Sequence, residues 1–213
     1  RHTRYISVTG VQTCALPIFR LLRQEPWECL ASFILSSTKQ ITQIRQIVMM
    51  LCSRFGQQVQ APHGVGPVLS FPTAERIAAL SESELRECKM GFRAPYLLKT
   101  ARMIVNNEVD LTRVFTLTCD QARVELLRFP GVGRKIADCV LLFAYGFPEA
   151  FPVAVWVRTA LRQLYFPRRR VNEKTLARFC ETHFGPHAGY AQQYLFHHMR
   201  TTASRNHEEP LLS

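Results

Sequence analysis

Residues 124–142 read VELLRFPGVGRKIADCVLL. The stretch up to Phe129 has the apolar spacing of a helix, Pro130 breaks it, and Gly131-Val132-Gly133 makes a tight hairpin before a second helix near Arg134. Two glycines around one apolar residue permit positive φ at both ends, while Val132 pins the hairpin into the core. The N–H groups of the turn, with the N-terminus of the second helix, offer a site for an anion such as a phosphate. A lone G-x-G is a weak signal, and a plain helix–turn–helix corner reads as well. The amphipathic flanks and the adjacent Lys135 make the pattern more specific. Gly64 and Gly66 lack such flanks and read as loop.

Lys135 falls in the first turn of the second helix. The positive end of the helix dipole disfavours an ammonium there, so a lowered pKa is predicted, more so where water is excluded. A neutral amine is a nucleophile able to form a Schiff base. The competing reading is an exposed or phosphate-holding lysine.

Outward from this stretch the pattern is helical almost throughout. EPWECLASFILSS sets Trp27, Leu30, Ala31, Ile34 and Leu35 on one face. TKQITQIRQIVMMLCSRFG repeats the habit through Ile41, Ile44, Val48, Leu51 and Phe55, with Gly56 as the expected residue just past the helix end. QAPHGVGPVLSFP reads as loop. TAERIAAL and SESELREC carry start signals at Thr73 and at a serine. APYLLKTARMIVNNE, CDQARVELLRF, VWVRTALRQLYF, EKTLARFCETHFG and AGYAQQYLFHHMRT complete roughly eight or nine helices. Strand signals are almost absent. The predicted class is all-α, in two helical lobes with a cleft between them.

At 213 residues with a 47% apolar composition, the chain can bury a substantial core. A net charge of +11 favours a polyanionic partner, nucleic acid ahead of an anionic membrane surface. Cys14, Cys29, Cys52, Cys88, Cys119, Cys139 and Cys180 are too far apart for a zinc finger or an iron–sulfur run. No cofactor or metal is therefore expected. Their placement suits a reducing compartment, the cytoplasm of a bacterium or a eukaryotic nucleus. No signal peptide is evident, and no apolar run approaches the length of about 18 residues that a membrane span requires. Residues 1–19 have no clear period and resemble translated sequencing-adapter read-through, so they are expected to be a non-native leader. The folded domain is placed at 20–203 and a polar tail at 204–213.

LRQEPWECLASFILSSTKQI, GFRAPYL, FPGVGRKIADC, FPVAVWVRTAL and GPHAGYAQQYLF occur in the order found in helix–hairpin–helix DNA glycosylases. The chain most resembles the 8-oxoguanine DNA glycosylase/AP lyase branch, over about residues 20–201. That resemblance implies a monomer acting on damaged double-stranded DNA, with no role at a membrane. The reaction it implies is extrusion of a nucleotide, attack of an amine at C1′, loss of the base and β-elimination of the strand. Lys135 stands at the position of the family's catalytic lysine, and Gly131, Val132 and Gly133 at its DNA-binding hairpin. Gln192 and Phe196 match residues that contact and stack on the extruded purine, and Cys139 matches the floor of that pocket. A buried inert thiol is as fair a reading of Cys139, core packing competes for Phe196, and a solvated surface amide is the alternative for Gln192. Phe92 and Arg93 match the wedge and neighbouring arginine that fill the vacated stack, with core packing again the alternative for Phe92. Thr38 stands where the eukaryotic branch has an asparagine facing the orphaned cytosine. Arg158, with Arg162, Arg168, Arg169 and Arg170, is expected to track phosphates, a merely solvated basic face being the alternative.

One position departs from the pattern. In the family, FPV is followed by an aspartate that caps the next helix, helps the lysine lose its proton and offsets positive charge on the sugar. Here the residue is Ala154. The loss implies a rate lowered by about 10²- to 10⁴-fold, so a non-catalytic protein that binds lesions or AP sites is the alternative. Asp138 is expected to be structural, and Glu149 is a speculative substitute. The thymine-glycol and adenine-mismatch branches commonly carry a four-cysteine cluster that this chain lacks. The resembled branch also has a β-rich domain ahead of the helices, which nothing after Arg20 supplies.

Overall fold

The computed structural model describes residues 20–37, 40–60 and 68–208. The expected leader, Thr38, Gly64, Gly66 and residues 209–213 lie outside that range. Gln24–Tyr145 forms one compact unit, and residues 20–23 with the chain from Gly146 onward form a second. Both are helical, as the sequence predicts. The first holds α1 (Pro26–Leu35), α2 (Ile41–Phe55), α3 (Ala74–Ala78), α4 (Glu82–Glu87), α5 (Ala94–Val105), α6 (Cys119–Leu127) and α7 (Arg134–Val140). The second holds α8 (Val155–Tyr165), α9 (Glu173–Phe184) and α10 (Ala188–Glu208). The described residues thus hold ten α-helices, against the roughly eight or nine expected. Within the stretch read as loop, Val68–Leu69 (β2) pairs antiparallel with Gln58–Val59 (β1).

Helix starts follow local chemistry. Pro26 sits at the first turn of α1, where a missing N–H costs nothing, and the Glu25 carboxylate accepts from Trp27 N and Glu28 N at 3.0 and 2.6 Å. The predicted face of α1 is buried, and Trp27 Nε1 donates to the Pro72 carbonyl at 2.9 Å. Thr73 caps α3, and Ser81 forms a reciprocal capping box with Glu84 on α4. Thr118 and Gln121 do the same for α6, a signal the sequence held and the reading passed over.

Two expectations need correction. On α2 the buried residues are Ile47, Leu51 and Phe55, whereas Ile41 is 67% exposed. The apolar period fitted two faces, and packing selected the one centred on Ile47. Gly56 ends α2 with φ −73°, not in the left-handed region. Glycine suits that position because a side chain there would run into the Ser70 and Cys52 carbonyl oxygens.

α7 packs against α1 and α6 and runs on into a single π-helical turn, Leu141–Tyr145. In the second unit α8 packs against α10, and Phe151, Val157, Leu161, Leu176, Cys180, Phe184, Ala188 and Ala191 close a separate core. Phe151 stacks on Phe184 with ring centroids 5.2 Å apart. Burying each large apolar side chain of this kind contributes about 1.5–3 kcal/mol. No helix among the described residues is long and apolar enough to cross a membrane.

Candidate active site and nucleic-acid interface

The hairpin forms where the sequence places it. Val132 is buried, and its N–H donates to the Phe129 carbonyl at 3.2 Å, closing the turn. Only one of the two glycines has positive φ. Gly131 has φ 77°, and a side chain there would meet the Tyr96 ring at 2.8 Å. Gly133 has φ −95° and ψ 175°, extended backbone open to any residue, because it serves as the N-cap of α7. A Cβ at Gly133 would meet nothing within 4 Å. The two glycines thus do different work: one makes the turn, the other leaves the start of α7 uncovered.

Lys135 lies in the first turn of α7 and is exposed. Its Nζ sits 5.7 Å from the centroid of the Phe33 ring, within cation–π range. Phe33 in turn stacks on Phe143 with centroids 5.8 Å apart. Sequence reading missed Phe33, since nothing in LASFIL marks one aromatic as facing a lysine on another helix. One turn beyond Lys135, Cys139 is buried. Removal from water pushes its thiol up to about 12, although the Lys135 charge pulls the other way. Cys29 on α1 is likewise pushed up to about 12, first by burial and then by Cys139. Both thiols are held protonated, which suits the inert reading of Cys139.

Asp138 does what the sequence assigns to it. Its buried carboxylate accepts from Arg123 Nε on α6 at 2.7 Å and lies 3.7 Å from Arg134 Nε. Arg123 also pairs with Asp120. The pair ties the helices on either side of the hairpin together.

Phe92 and Arg93 lie in a 3₁₀ turn, Gly91–Arg93, that leads into α5. Phe92 is 54% exposed, so the core-packing alternative is removed for it, and Arg93 is 2% exposed. The Arg93 guanidinium carbon lies 4.2 Å from the Phe92 ring centroid, bracing an aromatic that faces outward.

The remaining expected residues belong to the second unit. Ala154 is the N-cap of α8, in extended conformation, and its own side chain caps none of the first N–H groups of that helix. Its methyl packs on the core that Val157 and Leu161 help to close. Trp156, in the first turn of α8, is 44% exposed. Sequence reading passed over this residue, and the signal was an indole on the polar face of an amphipathic helix. Arg158 is half-buried, whereas Arg162, Arg168, Arg169 and Arg170 are exposed, as is Glu149. Gln192 is 3% exposed and its side-chain oxygen accepts from Gln193 Nε2 at 2.6 Å. Phe196, one turn further on α10, is half-buried against the core of this unit.

The HhH-GPD superfamily of base excision DNA repair proteins matches residues 31–186. The chain belongs to this superfamily. It is 35% identical over 196 residues to the probable N-glycosylase/DNA lyase of Methanothermobacter thermautotrophicus, covering 84% of this chain and 62% of that protein. Identity to the N-glycosylase/DNA lyase of Saccharomyces cerevisiae is 33% over 210 residues, covering 83% and 56%. The chain therefore spans about three-fifths of the length of these relatives. Among solved structures, the Clostridium acetobutylicum 8-oxoguanine glycosylase/lyase, bound to double-stranded DNA with cytosine opposite 8-oxoG, superposes with a TM-score of 0.83. The two share 33% identity over 93% of this chain and 68% of that one. The superfamily accounts for the helical fold of the described residues.

Proposed function

We propose that this chain forms the helical part of a base-excision DNA glycosylase with AP lyase activity. It acts, as a monomer, on oxidised purines such as 8-oxoguanine in double-stranded DNA, in a cytoplasmic or nuclear setting. The observation that carries the reading is Lys135. Lys135 stands exposed in the first turn of a helix whose start is left open by Gly133, and the part-buried Arg123–Asp138 pair ties that helix to α6. The hairpin N–H groups hold a backbone phosphate. Phe92 enters the stack as a nucleotide is extruded, and Gln192 and Phe196 receive the purine. The Lys135 amine then attacks C1′, and the bond to the base breaks with its electron pair leaving on the base. The C1′–O4′ bond then opens, with a proton passing from nitrogen to O4′, to give the Schiff base. Loss of a C2′ proton drives β-elimination, which breaks the C3′–O bond and frees the phosphate end of the strand.

A second reading rests on Ala154. Lacking a carboxylate at the start of α8, the chain would recognise lesions or AP sites without turnover. Borohydride trapping on an 8-oxoguanine duplex separates the two. A covalent adduct that disappears in Lys135→Ala supports the glycosylase, and an adduct that persists in that variant removes the mechanism. Selective binding to lesion duplex with no adduct favours the binding protein.

A further inference from the structure

The charge of the chain is unevenly placed. Residues 158–178 hold seven lysines and arginines against one acid, a net +6 in 21 residues, where the whole sequence carries +11. In the Gln24–Tyr145 unit many arginines are neutralised: Arg54 by Glu87, Arg86 by Glu82, Arg123 by Asp120 and Asp138, and Arg128 by Glu125. By contrast, Arg162, Arg168, Arg169, Arg170, Lys174 and Arg178 are all exposed, and none has an ion-pair partner among the described residues.

The turn at the centre of this run is fixed at both ends. Tyr165 and Phe166 close α8 inside an aromatic cluster, with the Phe166 ring 4.9 Å and the Tyr165 ring 5.1 Å from that of Phe179 on α9. The Phe166 carbonyl accepts from Arg169 N at 3.2 Å, and Pro167 fixes its own φ. At the far end the Asn172 side chain accepts from Thr175 N at 2.8 Å, capping α9. Three successive arginines are thus displayed on an anchored turn. Their neighbouring Cα atoms stand only about 3.8 Å apart, far inside a screening length of about 8 Å in physiological salt. Such charges repel one another unless a polyanion gathers them. Six of the seven basic residues are arginine, whose planar fork matches phosphate oxygens two at a time.

We propose that the turn between α8 and α9, with Arg162 and Arg178 beside it, is a further nucleic-acid contact that grips the sugar–phosphate backbone of intact duplex. The identity of the polyanion rests on the repair function proposed above. The turn lies one length of α8 from Ala154, about 16 Å for an 11-residue helix. That distance corresponds to about five base-pair rises. The contact therefore serves affinity and residence on DNA, and does not touch the reacting nucleotide.

The test compares Arg168→Gln/Arg169→Gln/Arg170→Gln with a control that removes equal charge elsewhere, Arg45→Gln/Lys99→Gln/Arg113→Gln. Binding to an undamaged duplex is titrated against salt, and single-turnover incision of an 8-oxoguanine duplex is measured at saturating protein. The turn variant is expected to flatten the slope of log affinity against log salt by about 2–3 and to lose at least about tenfold in affinity at 0.1 M salt. Its saturated incision rate should stay within about twofold of the parent, and the control should move the slope by less than about 1. Arg169→Gln alone, read the same way, covers the case in which the triple variant folds poorly, with an expected slope change of about 1. Equal slopes in the two triple variants overturn the proposal. Loss of binding to phosphatidylserine vesicles with duplex binding intact also overturns it, assigning the surface to membranes. A parent that never incises lesion DNA, yet shows the slope difference, removes the repair function and keeps the contact.

Discussion

α7 and α8 both begin from extended backbone, at Gly133 (φ −95°, ψ 175°) and Ala154 (φ −80°, ψ 169°), and neither N-cap offers a side-chain acceptor. The other helices that start from extended chain carry a side-chain hydrogen bond, at Glu25, Gln40 with Gln43, Thr73, Ser81, Thr118 and Asn172. The two exceptions differ in kind. At Gly133 the space beyond the missing Cβ is empty, so something from outside can approach the first N–H groups of α7. At Ala154 the position is filled by a methyl packed on the unit's own core. One helix start is open to an arriving anion, and the other lacks an internal one. A bare N-cap can therefore be either an invitation or a deficit, and the environment of its Cβ tells which.

Supplying the internal anion is the strongest way to sharpen this contrast. Ala154→Asp is expected to raise incision of an 8-oxoguanine duplex by about 10²- to 10⁴-fold, measured in single turnover. A rate that does not move would mean that the bare start of α8 has no bearing on the chemistry. Next in size is the support beneath α7. Asp138→Ala removes the buried carboxylate that part-buried Arg123 shares with Asp120, and should cost about 1.5–3 kcal/mol in a denaturant titration. A loss below about 1 kcal/mol, the range of an exposed pair, would show that the pair does not hold the hairpin helices together.

The two glycines should then separate cleanly. Gly131→Ala forces an alanine to positive φ against the Tyr96 ring and is expected to lower stability by about 1–3 kcal/mol. Gly133→Ala should cost the fold less than about 1 kcal/mol, as a weak N-cap exchange, and act on DNA affinity instead. If both variants lose stability equally, the open space at Gly133 is not what distinguishes it. The smallest effect concerns pH. Cys29 and Cys139 have folded-state pKa values raised from an ordinary value of 9.0 to about 12. Their contribution to stability is intact below pH 9 and is lost as pH rises towards 12, because the unfolded thiols ionise first. Replacing both by alanine should flatten the alkaline fall in Tm between those values.

Much of this was legible in sequence because the deciding interactions are local. The face of α1, the caps at Thr73 and Ser81, the break at Pro130 and the burial of Val132 all follow from residues within a few positions of one another. Ala154 as a bare helix start was legible too, through its place after FPV. What failed needed the third dimension. G-x-G does not say which glycine takes positive φ, and that depended on Gly133 becoming an N-cap. The face of α2 was settled by what Ile47 packs into. Phe33 facing Lys135, and Arg123 reaching Asp138 fifteen positions away, join different helices and leave no mark in either segment alone.

The chain has two tryptophans, and they fall one to each unit. Trp27 is sealed inside the first with its indole N–H bonded to Pro72, while Trp156 stands 44% exposed in the second. Sheltered indole emits at shorter wavelength than solvated indole and is protected from a collisional quencher such as iodide. The molecule therefore carries an unlabelled optical reporter in each unit. Melting followed at both ends of the emission band would reveal whether the two units come apart together or in turn.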